Sequence, residues 1–434
     1  MKNILIIIQI DFLKAGNQTL INTVRGYIRN GFFVHLLTCN KAGNSEYYQY
    51  EELDSEIQSG LKIYRFQTVA SRIRFKKKRS TLSKDTKAIT RKTNDIVDFS
   101  SRHINIQQYI TMMSFVLGGY KCAMDIISKN KIDILYGYEL YGAILANKIH
   151  KHVPNAVFVT RFQGTYLYPY LNNKHLRFQM PAQYHSIKIK SDIIIMTNDG
   201  TRGDIVCKQL NSDTKFMFLI NGLSDHIHLD DNVNRKEVLR KYNINEKKNV
   251  LLASSRLVDW KRVDRIIKIA STLKSKLMND DFVCLIAGYG NEYEALNNMI
   301  EQHNLQSCVY MLGKVDREDL NDLYNISDIV LSFFDLSNFS NTIIEAVACG
   351  RPVITINDGS TDELLRNNYN SILINNDQYL IKNASLEIHQ LLINEKRLEQ
   401  LKQNAYNSRK LVKSWDERMK MEVEAVLNAR RLDS

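Results

Sequence analysis

Thirteen short apolar runs separated by longer segments, most of helical period, punctuate this chain from end to end, and that alternation limits its fold more than any other feature. The first series is Ile4–Ile10, Phe33–Thr38, Ile63–Phe66, Ile132–Tyr136, Val157–Arg161, Ile193–Met196 and Phe216–Ile220. The second is Val250–Ser254, Phe282–Ala287, Val309–Leu312, Ile329–Phe333, Val353–Thr355 and Ile372–Ile374. These runs lack polar alternation, which marks strands buried on both faces. Joined by helices such as Thr19–Asn30, they predict parallel βαβ units covered on both sides. The rhythm breaks at the polar, turn-rich stretch Asn221–Asp231. We therefore expect an α/β protein of two doubly wound domains, residues 1–222 and 234–410, with a linker at 223–233. Ligands of such sheets bind beyond the carboxyl ends of the strands, so a cleft between facing domains is the expected site.

Composition narrows the function classes. A hydrophobic fraction of 44% and a charged fraction of 24% in 434 residues describe an ordinary globular chain. No uninterrupted apolar run approaches the roughly 18 residues that would mark a membrane span. Ile4–Ile8 is too short for the core of an export signal, so the cytoplasm is the expected address. The six cysteines are scattered without metal-ligand spacing and suit reduced thiols. The His226-Ile-His228 pair lies in the linker and is read as exposed, so no metal site is expected.

The net charge of +12 is local. Between Lys62 and Lys92 stand twelve Lys/Arg and one acid, a balance of +11, which leaves +1 for everything else. The segment reads as an insertion or long loop of the first domain. An anionic membrane surface, a nucleic-acid backbone and a plain solvated loop all fit it. Nucleic acid ranks last, because it leaves the motifs of the second half unexplained.

Several strand ends carry chemistry. The first leads into Asp11-Phe-Leu-Lys-Ala-Gly16-Asn17, where a glycine before a helix lets backbone approach an anion. Strand Val250–Ser254 leads into Arg256 and Lys261, two cations beside a helix start and suited to a diphosphate; Asp259 and Asp264 are the alternative partners. Gly288-Tyr-Gly290 makes a tight turn after the next strand. Beyond Ile329–Phe333 a polar loop, Asp335-Leu-Ser337-Asn338-Phe339-Ser340, enters a helix near Asn341 and Thr342. Its N–H groups would receive phosphate oxygens. Glu345, one turn further, would accept hydrogen bonds from vicinal hydroxyls.

These motifs in this order, Ser254-Ser-Arg256…Lys261, Gly288-Tyr-Gly290, Leu312-Gly-Lys-Val315, Ser327-Asp328 and Ser337-Asn-Phe-Ser-Asn-Thr-Ile-Ile-Glu345…Gly350-Arg-Pro, resemble the retaining nucleotide-sugar glycosyltransferases of family 4. The resemblance implies a GT-B fold of two Rossmann-like domains, and a closing helix at 411–434, around Trp415, that returns to the first domain. It implies that Arg256 and Lys261 bind the donor diphosphate, Glu345 the ribose, and the backbone at Phe339–Thr342 the distal phosphate. Val315 would lie near the base, where family members hold a uracil or another base, with a UDP-sugar as the expected donor, and Gly16 would line the cleft opposite. The acceptor would be a saccharide or lipid-linked saccharide of surface polysaccharide or glycan assembly, on the inner face of a membrane met through 62–92. No cofactor is implied, and cations with helix dipoles would replace a metal.

Two positions depart from the pattern. The first Glu of the family's Glu-x7-Glu pair falls at Ser337, with Asp335 as the nearest substitute. A first-domain histidine is absent from Thr160-Arg161-Phe-Gln163, where Arg161 or Gln163 would contact the sugar instead. A nucleotide-sugar epimerase of the same fold, or a non-catalytic partner of another transferase, are the alternatives. Tyr166–Tyr170 fits either a sugar platform or packing, and His175 and His185 read as ordinary helix residues.

Overall fold

The computed structural model describes residues 1–13, 18–39, 53–69, 105–278 and 281–429. They form two compact units. One comprises Met1–Thr197, Arg202–Leu219 and Met419–Ser434, the other Asn198–Thr201 and Ile220–Arg418.

The first unit is built on a seven-stranded sheet. Its strands are β1 (Lys2–Ile8), β2 (Phe32–Cys39), β3 (Leu61–Phe66), β4 (Ile134–Tyr138), β5 (Val157–Phe162), β6 (Ile193–Thr197) and β7 (Phe216–Leu219). Every pairing is parallel, in the order β3-β2-β1-β4-β5-β6-β7. The helices are α1 (Gln18–Arg29), α2 (Ser55–Gly60), α3 (Ile106–Lys129), α4 (Glu139–Ile149), α5 (Leu176–Gln179), α6 (Pro181–Ile187) and α7 (Gly203–Leu210). The apolar runs do what two-sided burial demands: Ile4 to Ile8 are wholly inaccessible, each contributing about 1.5–3 kcal/mol of burial. By length and composition α3 could cross a membrane, yet Phe115, Val116, Ala123 and Ile126 are packed in this unit's core.

The second unit holds β8 (Asn249–Ser254), β9 (Phe282–Ala287), β10 (Val309–Gly313), β11 (Ile329–Ser332), β12 (Val353–Asn357) and β13 (Ser371–Asn375), in the parallel order β10-β9-β8-β11-β12-β13. Its helices are α8 (Arg235–Lys241), α9 (Val263–Ser275), α10 (Tyr293–Gln302), α11 (Arg317–Ile326), α12 (Asn341–Ala348), α13 (Leu380–Ile393) and α14 (Glu395–Ser408). The order reverses at β8, which pairs with β9 on one side and β11 on the other. That reversal is the place where doubly wound sheets bind ligands. The last helix, α15 (Trp415–Leu427), starts in this unit, and from Met419 its residues belong with the first.

Three boundaries differ from the sequence reading. Residues 223–233 are not a free linker, because Ile227 lies in the second unit's core. The His228 and Asp230 N–H groups donate to Asn321 and Asn325 at 2.9 and 3.0 Å. Asn198–Thr201 leaves the first half of the chain to join the second unit. The basic segment is not wholly an insertion: Lys62–Phe66 is the body of β3, and Arg65 is paired with the buried Asp11 at 2.9 Å. Its cations from Arg72 to Lys92 lie outside the described residues.

Candidate functional site

The carboxyl ends of β8 and β11 meet at the reversal point, and the predicted donor residues lie on the loops that leave them. After β8 the chain passes Arg256 and makes a 3-10 turn at Asp259–Lys261 before α9. This run contains four cations near one another, and the structure separates them sharply. Arg262 pairs with Asp264 and Asp335 at 2.9 and 3.0 Å, and Arg265 pairs with Asp335 at 2.7 Å. Neither Arg256 nor Lys261 has an ion pair or side-chain hydrogen bond among the described residues. Asp264 is occupied by Arg262 and Lys268, and Asp259 pairs with neither free cation. The surface-pairing alternative therefore fails for the two residues that chemistry singled out.

Lys261 is buried, at 9% exposure, against aromatic rings: its Nζ stands 3.6 Å from the centroid of Phe334 and 4.3 Å from that of Trp260. Ring faces attract a cation, but they replace hydration poorly. Burial and the neighbouring charge of Arg256 together pull the ammonium down to about 7, with Asp199 acting in the opposite direction. Arg256 is exposed, with its guanidinium 6.0 Å from the Trp260 ring. An unpaired buried cation beside an exposed one is a pair suited to an anion.

The pH dependence follows. Lys261 ordinarily titrates at 10.5 and here at about 7. Between those values the unfolded chain holds a proton that the folded chain has lost, so this group's contribution to stability improves as pH rises through that window. A bound diphosphate would reverse the preference and recharge the amine. Calorimetry in buffers of different ionisation enthalpy should show nearly one proton taken up per nucleotide sugar bound at pH 8.5, and almost none at pH 6. Affinity should fall by up to about tenfold per unit above pH 7.

Backbone closes around these side chains. A Cβ on Gly288 would lie 1.8 Å from the Ser255 carbonyl oxygen, and one on Gly290 would lie 2.1 Å from that of Leu257. No side chain fits either position, so the Gly-x-Gly turn is fixed by contact with the β8 loop. Val315, beyond Gly313, is half-buried on the core.

The loop after β11 enters α12 with Ser340 at its cap. The N–H groups of Asn341 and Thr342 have no place in the helix ladder. The Thr342 hydroxyl donates to the Ser254 carbonyl at 2.7 Å, which ties the helix start to the end of β8. The Phe339 N–H, assigned to a phosphate by the resemblance, is already donated to the Asp199 carbonyl at 3.1 Å. Asn338 is buried and donates to Asp358 at 2.7 Å. Any anion at this loop would therefore fall to Asn341, Thr342 and the unpartnered, buried Ser340 hydroxyl. Glu345 is half-buried; Tyr324 donates its hydroxyl to Oε2 at 2.8 Å, and nothing among the described residues donates to Oε1. Burial raises its carboxyl above the ordinary range while the Tyr324 bond works against that.

Several predicted roles change. Asp335 is no donor-side carboxylate, because Arg262 and Arg265 already neutralise it. Arg161 is not placed for a sugar contact: it is fully buried in the first unit, 3.9 Å from the equally buried Glu422. Gln163 remains half-buried and is held by the Tyr138 hydroxyl at 2.9 Å and, through its N–H, by Glu139 at 2.8 Å. Tyr166 and Tyr168 are 56% and 41% exposed, with the Arg202 guanidinium 5.8 Å from the Tyr168 ring centroid, whereas Leu167 between them is buried. Gly16 lies outside the described residues. All six cysteines are free, and no group of three potential metal ligands occurs among the described residues. Sequence reasoning missed Asp199, Tyr324 and the Trp260–Phe334 walls. Only Trp260, next to Lys261 in the chain, gave a local signal.

Two parallel Rossmann-like sheets of seven and six strands are the architecture of the GT-B fold. Residues 234–408 match the family model "Glycosyl transferases group 1". An uncharacterized glycosyltransferase of Methanocaldococcus jannaschii is 30% identical over 120 residues, 27% of this chain and 30% of the relative. A subunit of the phosphatidylinositol N-acetylglucosaminyltransferase of Saccharomyces cerevisiae is 30% identical over 28% of this chain and 26% of its own length. The chain thus aligns with less than a third of these relatives' length. Sucrose-phosphate synthase of Thermosynechococcus elongatus superposes with a TM-score of 0.71 at 13% identity, covering 100% of both chains. The Anabaena protein HepE in complex with UDP gives 0.70 at 12% identity, covering 99% of this chain and 100% of its own. At such identities the likeness is one of fold.

Proposed function

We propose that this chain transfers a sugar, with retention, from a nucleotide diphosphate donor to a saccharide or lipid-linked saccharide in glycan assembly. The observation that carries the reading is the pair Arg256 and Lys261, left without counter-ions at the β8 reversal point while their neighbours are paired. A diphosphate supplies the missing charge, the α12 start receives its distal phosphate, and Glu345 Oε1 accepts from the ribose. The donor is a UDP-sugar, a reading supported by HepE's UDP complex and by the N-acetylglucosaminyltransferase among the relatives. The bond from the anomeric carbon to the phosphate oxygen breaks as the acceptor oxygen bonds the same face, and the acceptor's proton passes to the departing diphosphate. Arg256, Lys261 and the helix start neutralise that leaving group, so turnover should persist in EDTA.

The acceptor side is read as a cytoplasmic membrane face met through 62–92. One feature of α3 supports it: Ile106, Ile110, Met113 and Leu117, spaced along one helix face, are 63, 59, 49 and 61% exposed.

Incubation with UDP- and GDP-sugars, with and without a lipid-linked saccharide, tests the whole reading. Transfer should need the acceptor and keep the donor's anomeric configuration by NMR. Release of an epimer or free sugar without acceptor would indicate an epimerase instead. Nucleotide binding with no turnover under any pairing would indicate a non-catalytic partner.

A further inference from the structure

Ser337 has a left-handed backbone, φ 62°, and donates its hydroxyl to Asp199 Oδ2 at 2.8 Å. Asp199 comes from 138 residues earlier, in the four-residue stretch Asn198–Thr201 that joins the second unit. That stretch is seated on the loop before α12. Gly200 has φ 91°, and a Cβ there would lie 2.6 and 2.7 Å from the backbone nitrogens of Phe339 and Asn338. The Phe339 N–H donates to the Asp199 carbonyl at 3.1 Å. The carboxylate is fixed from its other side as well: Oδ1 accepts from the Thr201 N–H at 3.0 Å and hydroxyl at 2.6 Å. Among the side chains of the described residues, Oδ2 accepts from Ser337.

This fixed carboxylate has no ion pair among the described residues, although it lies close enough for its charge to act on Lys261. A fixed anion there opposes diphosphate binding, so a ligand group that meets it is of a different chemistry. Hydroxyls donate well to a carboxylate with a free acceptor position. In a nucleotide sugar the hydroxyl-rich group is attached beyond the distal phosphate, which the α12 start would hold next to Ser337.

We propose that Asp199, positioned by Ser337, is the carboxylate that recognises the donor's sugar. The proposal rests on the nucleotide-sugar reading above. Ser337 keeps a short polar link where a second carboxylate would repel Asp199.

The test compares two probes on full-length protein: UDP with UDP-N-acetylglucosamine, and GDP with GDP-mannose as a second pair. Asp199→Asn keeps the loop contacts but removes the charge. It should leave nucleoside-diphosphate affinity within about threefold, and thermal stability within a few degrees, while lowering kcat/KM or affinity for the sugar-bearing partner by about thirtyfold or more. Ser337→Ala should give a smaller loss of the same kind. Moving the acid in Asp199→Ser/Ser337→Glu should recover about tenfold over Asp199→Ser alone, whereas Ser337→Glu alone should be defective. Equal effects on both members of a pair, or none on either, would overturn the proposal and leave the donor-site reading standing. Failure of the wild type to bind either nucleoside diphosphate would overturn both.

Discussion

Lys261→Met is expected to lower sugar transfer and nucleoside-diphosphate affinity by about a hundredfold or more, while making the unliganded protein more resistant to heat. The two effects share one cause. The ammonium sits among Phe334 and Trp260 without a counter-ion, and burial has pulled it down to about 7. Removing it relieves a desolvation cost in the empty protein. Methionine keeps the apolar stem against the same rings, so packing is largely preserved. In the complex the diphosphate loses a charge-assisted partner in a water-poor setting, the kind of loss that commonly costs about 10²–10³ in rate. Arg256→Ala should have a smaller effect, about ten- to a hundredfold, because an exposed guanidinium is better screened. A fall in Tm for Lys261→Met together with unchanged binding would mean that Lys261 is an ordinary structural residue.

Glu422→Leu should cost about 3–5 kcal/mol of stability in urea unfolding, because it leaves Arg161 charged and unmatched in the first unit's interior. Both side chains are fully buried; Glu422 Oε1 accepts the Tyr136 hydroxyl at 2.6 Å, and the Arg161 guanidinium stands 5.4 Å from the Tyr138 ring centroid. Tyr138, Tyr136, Glu422 and Glu139 together hold Arg161 above its ordinary range despite its burial. Arg161→Met should be similarly costly, and Arg161→Met/Glu422→Leu should recover most of the loss, since apolar replacements remove both desolvation costs at once. The same cycle separates the two readings of Arg161. A sugar contact would raise KM at unchanged stability, whereas the buried pair predicts the reverse. Because Glu422 lies in the tail from Met419, the pair also explains why that tail belongs with the first unit.

The sheets were legible because two-sided burial writes itself as unbroken apolar runs, and Phe282–Ala287 is found residue for residue. Strand ends shifted by two residues at β1, where apolar residues continue past the last ladder bond to Ile10, and at β4, where the apolar Ile132 precedes the first. The cations at the end of β8 were legible from their place after a strand. Which of them were free was not, because pairing depends on Asp335, about 70 residues away in the chain. Arg161 was misread because a strand-end arginine looks the same in sequence whether its head points to solvent or to Glu422. Asp199 left no local pattern at all. Asn198-Asp-Gly-Thr201 reads as a turn, and only the tertiary contact with Ser337 and Phe339 gives it a role.

The central claim is that Arg256, Lys261 and the start of α12 form a diphosphate site. Titration calorimetry of UDP into wild type, Arg256→Ala and Lys261→Met at pH 7 tests it most directly. The account predicts saturable one-to-one binding to the wild type, with affinity reduced by about tenfold or more in Arg256→Ala and a hundredfold or more in Lys261→Met. Undiminished binding in both variants would contradict it.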